Sequence, residues 1–315
     1  MLLLKRLLNI TFVLVALGVG ALVLRHFLHS GWPLHRANLW LVGLAAVVML
    51  GAYAAKAWGW QRLFRFEQRP AVLTLAAAGG AASVGGIALP GRCDEVIRLA
   101  VVRRCRRRRA SFGAVALSLF CLGLLDSAAM TPLAGVALGI SNIGGWLAVG
   151  FGVVIVAGVL AAAVVVLLPR ISRFQRLARF RLVGFVREHA ASPREAGWAW
   201  AGVALSWVLR AIAVFVLLAA LGFGTDFSAA LAFVCAASAS AVLPVAPAGA
   251  AVQAGAGAAI LVAHGVHTED AVAFGIAAQG LLMAAGAIFV LALGAWHAQG
   301  AFARSPLSRS LRSSF

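Results

Sequence analysis

Apolar residues in this chain run in long blocks, with neither the alternation of a half-buried strand nor the narrow stripe of a surface helix. Six blocks reach the length of about 20 residues that a bilayer-spanning helix needs: Leu7 to Leu24, Leu39 to Trp60, Ala110 to Ile140, Trp146 to Leu168, Ala196 to Gly222 and Ala271 to Trp296. Two more, Ala71 to Pro90 and Ser228 to Ala263, are interrupted by Gly79-Gly80, Gly85-Gly86 and Pro90 in the first and by Pro244, Pro247 and Gly249 in the second. They predict broken helices. The expected fold is all-α, with six full spans and two broken, re-entrant hairpins.

The charged positions decide how the interrupted stretches lie. If the first crosses the bilayer, the Arg-rich segment after it falls outside. If it dips in and returns, every strongly basic segment shares one face: Met1 to Arg6, Gln61 to Arg69, Gly91 to Arg109, Pro169 to Glu195 and the tail from Arg304. Those segments hold 23 of the 27 basic residues, and the opposite face keeps only Arg25 and Arg36. Short cytoplasmic loops carry an excess of Lys and Arg, so the re-entrant arrangement is preferred, with both termini cytoplasmic and the cell membrane as the location. By the same parity the second stretch enters and leaves from the outer face. Each half then has two spans, a broken hairpin and a span, facing opposite ways, which is the inverted repeat of many secondary transporters. A single transmembrane domain is expected over 1–300, with halves at about 1–140 and 146–296 and a cytoplasmic tail at 301–315.

Composition narrows the class. Hydrophobic residues make up 63% of the 315 and charged residues 11%, and the mean hydropathy is +0.98, whereas soluble domains are about 45–50% apolar and about 25% charged. The net charge of +18 would suggest nucleic acid in a soluble protein. Here the run Arg103 to Arg109 abuts a span, so it orients the loop and touches anionic head groups, and no nucleic-acid partner is expected. Arg170 to Arg187 reads as a basic amphipathic helix on the inner leaflet. Cys93, Cys105, Cys121 and Cys235 lack metal spacing, and His26, His29 and His35 have no acidic neighbour in their loop, so no metal site or cofactor is expected. Lys5 and Arg6 before an apolar run imitate a signal peptide, but no small-residue cleavage site follows, which predicts an uncleaved anchor.

The segment Gly86-Ile87-Ala88-Leu89-Pro90-Gly91-Arg92-Cys93-Asp94-Glu95-Val96-Ile97-Arg98 resembles the LP-x-R-x-G-E-x-x-R signature of the lysylphosphatidylglycerol synthase transmembrane family, the flippase-like domain. Leu243 to Gln253 resembles that family's second signature, a P-x-x-P-G-G-x-G-x-x-E hairpin. Pro90, Arg92, Glu95 and Arg98 carry over, as do Asp126 in the following helix and Pro244, Pro247 and Gly249 in the second hairpin. Where the family pattern would show Glu, this chain has Gln253; where it would show Arg in the last span, it has Gln279; and Leu122-Gly123 stand where Glu-Arg would precede Asp126. The resemblance implies the lipid-handling half of such proteins without the aminoacyl transferase half.

Within that frame Arg92, Arg98 and Arg210 are the candidate ligands of a lipid phosphate, because the planar guanidinium binds phosphate bidentately. Asp94 and Glu95 beside them would orient the first two, or stabilise a cytoplasmic helix start. Asp126 and Arg210 lie midway along spans, where each charge costs about 2.5–3.5 kcal/mol and needs a partner. They would line a polar cavity and pair with each other or with a phosphate, or form a structural ion pair. Lys56 is the remaining charge within a span. Asp94 and Glu95 are adjacent and point to different sides of a helix, so no acid–base pair is expected and the chain is not expected to be an enzyme. The leading expectation is a protein that moves or presents an anionic lipid, an aminoacylated phospholipid or a polyprenyl phosphate, between leaflets. The alternative is a non-transporting membrane partner that docks a cytoplasmic lipid-modifying enzyme through its basic loops; a membrane-bound transferase comes third.

Overall fold

A computed structural model describes residues 37–88, 93–104, 111–140, 145–171, 192–224, 226–240 and 249–302. Among the described residues all regular structure is helical: α1 (Leu39–Arg62), α2 (Val72–Ala88), α3 (Cys93–Arg104), α4 (Phe112–Ile140), α5 (Trp146–Ile171), α6 (Pro193–Ala220), α7 (Phe227–Ser240), α8 (Gly249–Ala263) and α9 (Thr268–Phe302), with one 3-10 turn at Phe66–Gln68. Five of these, α1, α4, α5, α6 and α9, are long and apolar enough to cross a bilayer. They coincide with five of the six runs expected to span, and the sixth, Leu7 to Leu24, lies outside the described residues. The chain is therefore a multi-pass, all-helical membrane protein.

The glycine pairs do not break the first interrupted stretch, for α2 runs through Gly79-Gly80 and Gly85-Gly86 without interruption. That helix ends at Ala88 and the next, α3, begins at Cys93; the second stretch divides into α7 and α8. With 17, 14 and 15 residues, α2, α7 and α8 rise about 21–26 Å at 1.5 Å per residue, short of the ~30 Å hydrocarbon core. Their partners compensate. α2 packs on α3, α1 and α9; α7 packs on α8, α6 and α4; and α8 reaches both α9 and α2. Pro90, Pro244 and Pro247, the expected hairpin tips, lie outside the described residues, as does the amphipathic segment from 172 onward.

Local signals set the helix ends. The Asn38 side chain accepts from the Trp40 and Leu41 N–H groups, capping α1, and Ser192 accepts from the Glu195 N–H with Pro193 at the first helical position of α6. The Asn38 N–H in turn donates to the Ala220 carbonyl at the far end of α6, so α1 and α6 run antiparallel along their whole length. Tails of lipid and Leu side chains are equally apolar, so membrane helices associate through small residues that admit close backbone approach. Gly59 of α1 meets Gly202 of α6 in this way, and Gly80 of α2 lies directly on Gly286 of α9. The interior is correspondingly rich in alanine, including Ala45, Ala52, Ala134, Ala199, Ala213 and Ala230. α5 packs chiefly on α4 and turns Val149, Val153, Val156 and Leu160 outward, a face matched to acyl chains.

At one end of the bundle the Glu195 carboxylate accepts from Arg69 at 2.8 Å and from Arg62 at 3.4 Å. Arg62 also stacks on Trp58, 4.9 Å from the ring centroid, and Trp58 meets Trp198 edge-on. Together with the Gln61 side chain, which donates to the Pro70 carbonyl at 2.7 Å, this knot fixes the link from α1 to α2 against the start of α6.

Candidate functional site

Five helices converge on one recess that holds three cations. On α1, Tyr53, Lys56, Ala57 and Trp60 follow each other at three, four and seven residues and so share a face. α2 contributes Leu75, Ala76, Gly79 and Ser83, and Arg98 of α3, Leu122 of α4 and Arg210 of α6 complete the lining.

The ionic chemistry is lopsided. Lys56 Nζ donates to Asp126 Oδ2 at 2.8 Å, and the two side chains are 19% and 23% exposed. The other carboxylate oxygen, Oδ1, accepts from Trp207 Nε1 at 3.0 Å. Both oxygens of Asp126 are therefore engaged. The Arg210 guanidinium lies 4.7 Å from the Trp207 ring and 5.8 Å from the Tyr53 ring, and its Nε is buried with no hydrogen-bond partner among the described residues. Arg98 is held by Asp94 one helical turn back, at 3.4 Å. Lys56, Arg98 and Arg210 thus face one another across a recess whose balancing carboxylates are Asp126 and Asp94.

Neutral groups hold this arrangement in place. Tyr53 Oη is 2.7 Å from Ser83 Oγ and donates to the Leu282 carbonyl at 3.2 Å, tying α1 to α2 and α9. Trp60 Nε1 donates to the buried Ser118 Oγ at 3.1 Å, and Ser118 donates to the Val115 carbonyl. Ser118, Leu122 and Asp126 stand four residues apart on α4, so one face of that helix supplies both the hydroxyl and the carboxylate.

The residues expected from the sequence fall into three groups. Arg98, Arg210, Asp94 and Asp126 are brought together around the recess. Asp126 pairs with Lys56 and Trp207, while Arg210 stacks on the Trp207 ring, so the expected meeting of Asp126 with Arg210 is replaced by two meetings through a shared indole. Glu95 is exposed on α3. Gln253 of α8 and Gln279 of α9 lie apart from the recess but touch each other, with Gln279 Nε2 donating to Gln253 Oε1 at 3.4 Å, and Gly249 opens α8. Arg92, Pro90, Pro244 and Pro247 lie outside the described residues. Lys56, Trp207, Tyr53 and Ser83 were not singled out from the sequence. Lys56 alone carried a signal, as an ionisable group inside an apolar run.

No curated protein and no solved structure matches the chain. A family model does: the lysylphosphatidylglycerol synthase TM region matches residues 13–294. That match spans α1 to α8 and most of α9, and therefore every helix that lines the recess. The chain belongs to the lysylphosphatidylglycerol synthase transmembrane family.

Proposed function

We propose that this protein binds an anionic lipid head group in the recess between α1, α2, α3 and α6 and moves or presents it between leaflets. One observation carries the reading: Arg210 keeps a buried Nε with no partner among the described residues, beside Lys56 and Arg98, while both oxygens of the nearby mid-span carboxylate, Asp126, are already engaged. Buried charge persists only when paired, and a lipid phosphate supplies the missing partner. Arg98 and Arg210 hold it through their guanidinium forks; Lys56 adds charge; Asp126 keeps Lys56 oriented. Chemistry on the lipid has no part in this reading, and neither does a metal or cofactor.

The short helix pairs α2–α3 and α7–α8 support the transport reading. In it they are re-entrant hairpins entering from opposite faces in an inverted repeat, with the basic segments and both termini cytoplasmic in the cell membrane. Reconstitution of the full chain in liposomes with a fluorescent phosphatidylglycerol and a leaflet-specific quencher tests it. Transport above protein-free vesicles, lost in Arg210→Gln, is expected; equal rates for the two proteins and for empty vesicles reject it. Added glycerol phosphate separates a site for a free phosphate from one that also needs the acyl chains.

The second reading, a membrane partner that docks a lipid-modifying enzyme without transport, is favoured by the Gln253–Gln279 contact. Two neutral amides there leave the second hairpin and the last span without the charges the family pattern would supply. Head-group binding without transport in the same liposomes would select it.

A further inference from the structure

Charge in the recess says which anionic lipids it admits. Lys56, Arg98 and Arg210 face Asp126 and Asp94, leaving one net positive charge among the described residues. A phosphodiester carries one negative charge and closes that balance. An amine on the same head group would need a carboxylate or an open aromatic face, and neither is on offer among the described residues. Asp126 gives Oδ2 to Lys56 and Oδ1 to Trp207, and Asp94 is engaged by Arg98. The Trp207 ring has Arg210 at 4.7 Å and Lys56 at 5.4 Å, and the Tyr53 ring has Arg210 at 5.8 Å, so the faces that would hold an ammonium are already taken by cations. The remaining described acidic residues lie at or outside helix ends: Glu67, Glu95, Glu195, Asp226, Glu269 and Asp270. Gln253 of α8 and Gln279 of α9 offer amides in place of charge.

We infer that the recess selects a phosphodiester head group without an amine, such as that of phosphatidylglycerol, and rejects its aminoacylated derivatives. This rests on the anionic-lipid reading above and narrows it. Lysylation of phosphatidylglycerol places two ammonium groups against one phosphate, and both would sit among Lys56, Arg98 and Arg210. Like charges brought together in a partly dry site are strongly disfavoured.

The test uses the full chain in phosphatidylcholine nanodiscs with radiolabelled dioleoylphosphatidylglycerol as probe and unlabelled phosphatidylglycerol, lysylphosphatidylglycerol and phosphatidylcholine as competitors. Phosphatidylglycerol competes, and lysylphosphatidylglycerol competes on the order of tenfold or more weakly. Competition by the lysylated lipid as strong as by the parent overturns the selectivity while leaving the anionic-lipid reading intact. Competition by phosphatidylcholine as strong as by phosphatidylglycerol overturns that reading itself. Arg210→Gln and, on a separate helix, Arg98→Gln locate the site: each abolishes the preference for phosphatidylglycerol over phosphatidylcholine, and its retention in both variants places the lipid elsewhere and rejects the inference.

Discussion

Lys56 and Asp126 lie 70 residues apart and meet at 2.8 Å, joining α1 to α4 in the middle of the bundle. Removing one partner leaves the other charge without compensation in a poorly solvated place. Lys56→Met or Asp126→Leu alone should cost about 2 kcal/mol or more, at the low end of the range for buried pairs because a fifth of each side chain stays open. The double variant should recover much of the loss. Thermal unfolding in detergent across the four proteins measures the coupling, and simple additivity would show that the pair contributes nothing.

Gly80 and Gly286 bring α2 and α9 into backbone contact, and a methyl group on Gly80 would fall on the Gly286 carbonyl. Gly80→Ala should therefore destabilise the fold by about 1–3 kcal/mol through forced separation of the two helices. Gly43→Ala, where nothing lies within 4 Å, should stay within about 0.5 kcal/mol of the parent. Size-exclusion profiles after graded heating compare them, and equal losses would contradict the close packing.

Gln253 and Gln279 form a neutral contact between α8 and α9. A lone Gln253→Glu brings an unpaired charge into this half-buried contact and should cost about 1–3 kcal/mol. Gln253→Glu with Gln279→Arg replaces the amide pair with an ion pair and should restore at least half of that. Folded yield and melting temperature of the two variants give the answer; a double variant no better than the single would mean that the two side chains do not meet.

Asp226 caps α7 by accepting from the Ser228 N–H at 2.8 Å. Its carboxyl titrates below the ordinary 3.8, chiefly through its hydrogen bond with the Ser228 side chain, and backbone N–H groups act in the same direction. A carboxyl whose native pKa is depressed stabilises the fold above its unfolded value and loses that contribution as pH falls through the native one. Asp226→Ala should thus lower stability by about 0.5–2 kcal/mol at neutral pH. The gap between the two proteins should narrow below about pH 4. Melting curves at pH 7 and pH 3 decide it, and a gap that widens in acid would be the wrong sign.

Hydropathy made the span pattern legible because each helix must be apolar over its own length, whatever its neighbours. The division into α7 and α8 was legible for a related reason, since glycine and proline act on the local backbone, whereas Gly79-Gly80 and Gly85-Gly86 were absorbed into the unbroken α2. Partner choice was not. Asp126 and Arg210 were recognisable as costly mid-span charges, yet nothing in their own helices says that Lys56 of α1 pairs with the first, or that the Trp207 indole donates to one and stacks on the other. Lys56 belonged in that set from the start. Its spacing from Tyr53 and Trp60 put three polar-tipped side chains on one face of an otherwise apolar helix, a pattern that gains meaning only once α2, α4 and α6 are seen to close around it.

The antiparallel pair of α1 and α6 is fastened at three levels: Asn38 to Ala220 at one end, Gly59 on Gly202 along the way, and Arg62 to Glu195 at the other. Sliding one helix past the other would break all three at once, so the pair behaves as a strut. Two of the recess cations, Lys56 and Arg210, ride on it and keep their spacing through any rearrangement. Under the transport reading proposed above, any opening of the recess would therefore fall to α2 and α3, which carry Arg98, rather than to this pair.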